Sequence, residues 1–465
     1  MKRQWSGVAI AAVALLAFSF AFGGSSQGHA LRLALVELAS LPVLVLASQR
    51  LIQTGAWKEH RLALGLLAAA VAIPLLQIIP LPPTIWTRLP GRDQMVLALQ
   101  LAGLEPGWTS LSLAPDRTWA SALALAPPAA LFLAVLALSP AQRERLVYVC
   151  IGAAVAGILL GAAQFASGGD DLYLWGWTGV GSVTGFFANR NHLASFLLVV
   201  LPFAIVFGAA ALRRRDRQAS HLWFSALFAG LVVVGLAAIR SRAGITLFTP
   251  VLLVSLLGAW IAAGRGRPGS GLLVLVGSVG LALTAVAVLA LPPILARFDT
   301  GGAPEVRFER WPLVAETAQT YLPVGSGIGS FNAVYRSVEP LDQLDSTFFN
   351  QAHNEYLETW LEAGWLGVAL IIAFFGWYSR RAWNAWKAPT SRERDLQRAA
   401  SIGIGVLLLH SVVDYPLRTT ALAVVFALCC GLLELGGRPE EARPDNKGDR
   451  RPSRPRRRAT PAGAP

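Results

Sequence analysis

The sequence is short of charge. Charged residues make up 14% of the 465 residues, and hydrophobic residues make up 54%, whereas a soluble globular protein carries roughly 25% charged residues. The apolar residues lie in long blocks, and the stretch from Ala363 to Ser379 holds no charged residue at all. These features exclude an ordinary soluble domain and predict an integral membrane protein.

Cysteine is also scarce. The three cysteines are Cys150, Cys429 and Cys430, and all of them fall in apolar runs. The spacing implies neither a disulfide framework nor a zinc site.

Acidic residues are fewer than basic ones, 27 Asp and Glu against 40 Lys and Arg, for a net charge of +13. In a soluble chain such an excess would suggest nucleic acid. Here the basic residues sit in short connections between apolar runs and in the tail, which is the pattern that orients a membrane protein. We therefore predict no nucleic-acid partner and contact with membrane lipids.

Twelve apolar segments are long enough to span a bilayer, which takes about 20 residues each. Their centres lie near Leu15, Val43, Ala70, Ala129, Val155, Leu201, Leu231, Leu253, Gly280, Leu370, Gly405 and Val424. The sequence predicts an all-α polytopic membrane protein with about 12 transmembrane helices, the first of them retained rather than cleaved. The transmembrane domain covers 1–435, and the Arg- and Pro-rich tail 436–465 is predicted to be disordered.

The distribution of positive charge predicts the orientation. The even-numbered connections carry the basic clusters "SQRLIQTGAWKEHR" (48–61), "SPAQRER" (139–145), "RRRDR" (213–217), "GRGR" (264–267) and "RRAWNAWK" (380–387). By the positive-inside rule both termini are cytoplasmic. In a bacterial inner membrane the two long odd connections, about 80–119 and 295–357, then form periplasmic loops.

Four polar clusters fall on this same, odd-numbered side. They are "GFFANRNHLASFL" (185–197) with Asn191 and His192, "AIRSRAGITLF" (238–248) with Arg240 and Arg242, the long loop with Arg307, Arg310 and His353, and "LHSVVDYPLRTTA" (409–421) with His410 and Asp414. Arginines that converge at a membrane surface suit a phosphate or diphosphate. A histidine there can deprotonate a hydroxyl. The pattern predicts group transfer from an isoprenoid diphosphate to a hydroxyl acceptor.

Several polar residues have structural explanations as well. At helical spacing Glu355, Glu358 and Glu362 form one stripe and His353 lies near the opposite one. The last two glutamates are expected to pair with basic residues of the long loop or to cap the helix. Asp414 either orients His410 or pairs with Arg418, and "GSGIG" (325–329) is a weak signal for a phosphate loop.

Four stretches resemble the O-antigen ligase superfamily, which includes O-antigen ligases and Wzy-type polysaccharide polymerases. They are "TGFFANRNHLASFL", "SRAGI", "RFERWPLVAETAQTYLPVGSGIGSF" and "AHNEYLETWLEAGWLGV". The segments "QIIPLPPTIW…LSLAPDRTW" and "HSVVDYPL" look like one branch of that family. The likeness runs from about residue 77 to 430.

The resemblance implies a GT-C-type, inverting glycosyltransferase that needs no metal or other cofactor. Carried over by motif, His353 would be the catalytic base, and Arg242 and Arg307 would bind the diphosphate. The motif reads "SRAG" where the family often has glycine directly after the arginine. Arg240 and Arg242 are therefore alternative candidates for the same diphosphate-binding role. The remaining candidate substrate-binding residues are Asn191, Asn354, Tyr356, His410 and Asp414.

The donor implied by the resemblance is an undecaprenyl-diphosphate-linked glycan. The acceptor is lipid A core for a ligase, a second lipid-linked glycan for a polymerase, or a protein hydroxyl. The segments that look like one branch of the family slightly favour a polymerase. A transporter or flippase of lipid-linked glycans is the alternative from another class. Transport would favour ionisable groups within several spans, whereas here they crowd one face.

Overall fold

The structure is a computed structural model, and it describes residues 6–26, 29–176, 179–213, 219–263, 306–344 and 349–435, together with Gly277 and Gly280. The chain is built from helices. The longer ones are Gly7–Phe22, Ala30–Thr54, Arg61–Ile78, Asp93–Leu101, Pro115–Ala124, Ala126–Ala137, Pro140–Ser167, Arg190–Arg213, Ala219–Ile239, Arg242–Ala262, Val306–Thr320, Phe331–Val338, Glu355–Lys387, Arg392–His410 and Thr420–Glu434. This confirms an all-α, membrane-embedded protein.

Among the described residues, seven helical segments are long and apolar enough to cross a membrane. They are Ala30–Thr54, Ala56–Ile78, Pro115–Ala137, Pro140–Ser167, Arg190–Ala210, Arg242–Ala262 and Glu355–Lys387. Eleven of the twelve predicted span centres fall within the helices given above, and the twelfth, Gly280, is itself helical. The span around Gly280, apart from that residue and Gly277, and the tail 436–465 lie outside the described residues. The total of twelve spans stays a prediction.

The Arg190–Arg213 helix lies at the centre of the bundle. It is apolar around its whole circumference, and every residue from His192 to Val206 is buried, as expected for a helix surrounded by other helices. It packs against the Ala219–Ile239, Arg242–Ala262 and Arg392–His410 helices. The polar motif at its first turn, which includes Asn191 and His192, therefore lies in the middle of the molecule.

The helical segment Glu355–Lys387 is broken at Gly364. Gly364 has φ 54° and ψ −144°, a region open essentially only to glycine. The rings of Tyr356 and Phe375 are 6.2 Å apart, whereas 19 residues of straight helix would separate them by about 28 Å. The chain therefore folds back at this glycine into a short helix and a long one that lie side by side. The sequence pattern did not predict this break.

The glycine-rich turn 325–329 caps the broken helix. The amides of Ser326 and Gly327 donate to the carbonyls of Leu361 and Glu362 at 3.0 and 2.9 Å. The Gln77 side chain donates to the Glu362 carbonyl at 2.9 Å and accepts from the Ile328 amide at 2.8 Å. Three amides of "GSGIG" are thus engaged within the protein, which agrees with a structural turn rather than a phosphate loop.

The two long odd connections contain local structure and contact each other. The first holds the helices Pro83–Trp86 and Asp93–Leu101 and a two-stranded antiparallel pair in which Pro80 faces Ser110. The Leu113 amide donates to the Ser326 carbonyl of the second connection at 2.9 Å. The helix that follows the first connection begins at Pro115.

Candidate functional site

Asp414 is the centre of a buried polar cluster. It follows the Arg392–His410 helix, and its side chain is fully buried. The Asn191 side chain donates to Asp414 Oδ2 at 2.8 Å, and the Tyr415 amide donates to Oδ1 at 2.9 Å. His353 Nδ1 lies 3.4 Å from the same Oδ1. Three stretches far apart in sequence therefore meet at one carboxylate.

Three histidines surround this carboxylate. Besides His353, His192 Nε2 lies 4.0 Å from Asp414 Oδ1 and His410 Nε2 lies 3.9 Å from Oδ2. His192 and His410 are each 1% exposed, whereas the His353 side chain is 20% exposed. Of the three imidazoles, that of His353 is the one open to an entering molecule.

Several nitrogen atoms of these imidazoles make no hydrogen bond within the described part of the chain. They are both ring nitrogens of His192, Nδ1 of His353 and Nε2 of His410. Buried polar groups in proteins are nearly always hydrogen-bonded, so each exception calls for an explanation. In the same part of the chain, no group of three or more His, Cys, Asp or Glu residues is arranged to hold a metal ion.

Ser241 connects the arginine motif to this cluster. Its hydroxyl donates to Asn191 Oδ1 at 2.8 Å and accepts from the Gly244 amide at 3.1 Å. The second contact caps the N-terminus of the Arg242–Ala262 helix, a usual role for serine. A continuous chain of contacts thus runs from this helix through Asn191 to Asp414. The sequence pattern did not mark Ser241 as a site residue.

The three candidate arginines flank the cluster. Arg240 and Arg242 stand on either side of Ser241, and both are exposed. Arg240 occupies the corner between two helices with φ 54°, and Arg242 is the first residue of the second helix, where helix N-termini favour anions. Arg307 Nη1 donates to the Val413 carbonyl at 2.7 Å, directly before Asp414.

The backbone of His353 is in an uncommon conformation. Its φ is 51°, which for a residue other than glycine costs of order 1 kcal/mol or more and is seen most often at functional sites. The helix begins after Asn354, whose Oδ1 accepts the amides of Tyr356 and Leu357 at 3.1 and 3.0 Å. Asn354 is therefore a helix cap, and the turn that it fixes holds His353 against Asp414.

Two further candidates have their polar atoms engaged within the fold. The Tyr356 hydroxyl donates to the Leu408 carbonyl at 2.7 Å, and His410 Nδ1 makes a very short contact with the hydroxyl of Ser195. Both lie beside the cluster and tie helices together. These contacts favour a supporting role for them over direct contact with a substrate.

Glu358 and Glu362 pair with Arg418. Arg418 Nη2 lies 3.2 Å from Glu358 and 2.8 Å from Glu362. The other carboxylate oxygens accept the amides of Ala352 and Phe331 at 2.8 and 3.0 Å. The expected structural role of these two glutamates agrees with this geometry, and the partner is Arg418 rather than an arginine of the long loop.

Glu355 and Arg310 also have partners within the fold. Glu355 accepts from the Ser411 hydroxyl at 2.6 Å and from the Leu417 amide at 2.7 Å. Arg310 is buried, pairs with Glu339 at 3.3 Å and lies over the Phe349 ring. Neither side chain is directed to the Asp414 cluster by these contacts.

The surroundings of Asp414 decide its charge. Burial alone raises the pKa of this carboxyl, but the contact with His353 and the nearby His192 and His410 outweigh burial and hold the pKa well below its usual range. Burial, together with this carboxylate, raises the pKa of Tyr415 to about 12. Asp414 is therefore an anion at neutral pH, and Tyr415 stays a neutral phenol.

Arg418 carries the opposite charge in its own cluster. Burial lowers the pKa of the guanidinium, but Glu358 and Glu362 outweigh burial and hold the pKa above its usual value. The alternative pairing of Asp414 with Arg418, left open by the sequence, does not occur. Asp414 faces histidines instead.

Residues 226–372 match the model of a family described as O-antigen ligase (Wzy_C). This confirms the resemblance to the O-antigen ligase and Wzy-type superfamily that the motifs predicted. The matched region includes Arg240, Arg242, Arg307, His353, Asn354 and Tyr356, whereas Asn191, His410 and Asp414 lie outside it. A search of curated proteins found no match.

Proposed function

We propose that this membrane-embedded chain, with its O-antigen ligase family region at 226–372, is an inverting glycosyltransferase. It would move a glycan from an undecaprenyl-diphosphate carrier to a hydroxyl acceptor at the periplasmic face of a bacterial inner membrane. The observation that carries the proposal is the meeting of four separate polar motifs around Asp414, with one partly exposed imidazole among them.

His353 would act as the general base. Its Nδ1 faces the Asp414 carboxylate, so Nε2 is the nitrogen left to take a proton from the acceptor hydroxyl. The anionic carboxylate would stabilise the imidazolium that forms, as the aspartate does in a catalytic triad. The partial exposure of this side chain gives the acceptor access to it.

The acceptor oxygen would then form its bond to the anomeric carbon while the bond from that carbon to the diphosphate oxygen breaks. A single displacement of this kind inverts the configuration. The diphosphate leaves with additional negative charge, which Arg307 and Arg242 would stabilise through hydrogen bonds. Arg240, held at the corner beside Ser241, is positioned to contribute to the same group.

The acceptor decides between ligase and polymerase. Lipid A core or a second lipid-linked glycan would each bring a hydroxyl to the same base. We favour transfer over transport, because the cluster gathers at the ends of helices and in the turns between them. A transport path would need polar groups spread through the bilayer.

The direct test compares purified wild type with His353→Ala. Each is given a lipid-diphosphate-linked glycan, with lipid A core and a second lipid-linked glycan as separate acceptors. Loss of a general base lowers the rate about 10²–10⁴-fold, so we expect transfer to fall by that factor with an unchanged Tm. The acceptor that wild type uses decides between the two roles.

His29→Ala is the matched control, because this half-buried imidazole contacts the Trp175 ring rather than the Asp414 carboxylate. Full transfer by the control and loss in His353→Ala would support the base. Equal rates for wild type and His353→Ala would overturn it.

A further inference from the structure

The short helix Asp93–Leu101 of the first long connection exposes a continuous apolar surface. Every residue of this helix is exposed or half-buried. From Gln94 to Leu104 the sequence "QMVLALQLAGL" holds no charged residue. Soluble surfaces rarely carry apolar patches of this kind, and where they occur they mark contact with a partner or with a membrane.

The most exposed leucines of the helix lie on one face. Leu97 is 54% exposed and Leu101 is 81% exposed, and residues four apart are neighbours on a helix surface. Val96 and Leu99, which are half-buried, fall on the opposite side at 100° per residue. The helix therefore packs on the protein through one apolar side and presents a second apolar side outward.

The segment after the helix continues this outward apolar surface. Leu104 is 58% exposed and Trp108 is 70% exposed. Trp108 follows Gly107, whose carbonyl accepts from the side chain of the buried Trp86 at 2.8 Å, so the chain at this point is tied to the fold. Tryptophan is enriched where lipid meets water, and a fixed, outward tryptophan is typical of that zone.

The helix begins close to the end of a membrane span. Arg92, the buried residue before the helix, donates to the Leu111 carbonyl at 2.6 Å. The next amide along that strand, of Ser112, donates to the Gln77 carbonyl at 2.9 Å. Gln77 lies in the last turn of Ala56–Ile78, one of the segments able to cross a membrane. Two hydrogen bonds and one arginine side chain thus hold the helix beside the end of this span.

The outward surface is continuous with the surfaces of the flanking spans. Leu76 and Ile79 at the end of the first span are exposed, and so is Trp119 in the first turns of the next span, Pro115–Ala137. Exposed apolar side chains on a membrane span face lipid. Because the connection joins two consecutive spans, it leaves and re-enters the bilayer at the same face, where these side chains lie.

We propose that the face formed by Leu97, Leu101, Leu104 and Trp108 inserts into the lipid–water interface of the membrane. The helix would lie at the bilayer surface as an amphipathic anchor rather than stand clear of it in water. Lipid is favoured over a second copy of the chain or another protein, because this face extends the lipid-facing surface of two spans and is held at the end of one of them. The inference does not depend on the proposed function.

Single-cysteine fluorescence tests this proposal directly. Leu101→Cys is labelled with bimane, and the protein is placed in nanodiscs of phosphatidylcholine with or without bromine on the acyl chains. The three native cysteines are buried, so the reagent reaches the introduced thiol. Leu341→Cys is the matched control, because Leu341 in the second connection is 86% exposed but stands beside Asp342 instead of within an uncharged run.

Brominated lipid quenches fluorophores in the bilayer, whereas iodide quenches those in water. We expect brominated lipid to quench the label at Leu101→Cys several-fold more than at Leu341→Cys, and iodide to act in the reverse order. Iodide quenching of equal strength at the two positions, with brominated lipid acting on neither, would place the helix in water and overturn the proposal.

A second copy of the chain would give a different result. It would shield the label at Leu101→Cys from iodide without quenching by brominated lipid, and oxidation of the unlabelled variant would give disulfide-linked dimers. That outcome would also overturn the proposal.

A charge on the same face tests whether its apolar character is what inserts it. In a Leu97→Cys background, Leu101→Glu should lower quenching by brominated lipid several-fold, because a carboxylate resists transfer into hydrocarbon. Gln319→Glu in the same background is the control, since Gln319 is exposed on the helix Val306–Thr320 of the second connection. Unchanged quenching with Leu101→Glu, or an equal loss with both glutamates, would contradict insertion of this face.

Discussion

Two buried charge clusters lie close together in this protein, and they differ in how completely their polar atoms are bonded. In one, Arg418 joins Glu358 and Glu362, and the remaining carboxylate oxygens accept backbone amides. In the other, Asp414 faces three imidazoles, of which several nitrogens make no hydrogen bond within the described residues. Both clusters draw on the same stretch, 353–362.

This difference in bonding favours a structural role for the Arg418 cluster and a role in the proposed reaction for the Asp414 cluster. A fully bonded cluster rigidifies a fold, and the Arg418 cluster holds the short helix against the turn that follows the Arg392–His410 helix. Incompletely bonded groups next to a strained backbone, such as those around His353 with φ 51°, are instead expected where a substrate completes the site. Three substitutions test this contrast.

The largest effect is expected from Arg418→Met. This change leaves Glu358 and Glu362 buried without their cation, and breaking a buried ion pair costs about 3–5 kcal/mol. We expect a large fall in Tm and poor recovery of folded protein in detergent. Arg117→Met is the control, since Arg117 and its partner Asp116 are both exposed and such pairs contribute about 0–1 kcal/mol. If Arg418→Met had the same Tm as wild type, the structural role of the Arg418 cluster would be contradicted.

The next effect is expected from Asp414→Asn, and it falls on activity. The amide cannot stabilise an imidazolium at His353, so transfer should drop about 10²–10⁴-fold, the range for general-base catalysis. Its Tm should change far less than that of Arg418→Met, because Asn keeps an acceptor for the Tyr415 amide. Equal transfer by the variant would remove Asp414 from the mechanism.

The same variant should reveal the charge of Asp414 in a pH series. The pKa of this carboxyl lies below its usual range, and in an unfolded chain it is about 3.9. Ionisation therefore stabilises the fold above about pH 4, and this contribution is lost as the pH falls through the folded-state pKa. The Tm difference between wild type and Asp414→Asn should be constant near neutrality and shrink below about pH 4.

The smallest effect is expected from Ser241→Ala. Loss of a helix N-cap costs about 1 kcal/mol, and here the Asn191 contact is lost as well. Ser391→Ala is the matched control, because Ser391 caps the Arg392–His410 helix through the Arg394 amide, away from Asp414. Both variants should lower Tm similarly, and only Ser241→Ala should lower transfer. Equal transfer by the two would mean that the link to Asn191 carries no function.

The sequence predicted the helices well because apolar runs are a local property. It could not predict the break at Gly364, since a single glycine at the start of an apolar run is compatible with a continuous helix. The break depends on residues about forty positions earlier, where a Cβ at Gly364 would lie 2.2 Å from the Pro323 carbonyl and where Ser326 caps the helix end. Contacts between residues so far apart in the chain leave no pattern in the sequence next to Gly364.

The site was predictable in part for a related reason. Membrane topology alone grouped the motifs on one side, so His353, Asn191 and Asp414 could be placed together. Topology does not assign partners, and it left open whether Asp414 or the glutamates would meet Arg418. The linking role of Ser241 was equally hidden, because a serine before a helix is an ordinary cap.

The pairing of Glu362 with Arg418 has a consequence for biosynthesis. The two residues are 56 positions apart, and chains grow at about 5–20 residues per second, so the arginine follows the glutamate by about 3–11 s. During that interval Glu358 and Glu362 have been synthesised and their cation has not. The short helix before Gly364 can therefore reach its final place only after Arg418 has been made, so the placement of His353 beside Asp414 waits for residues more than 50 positions further along the chain.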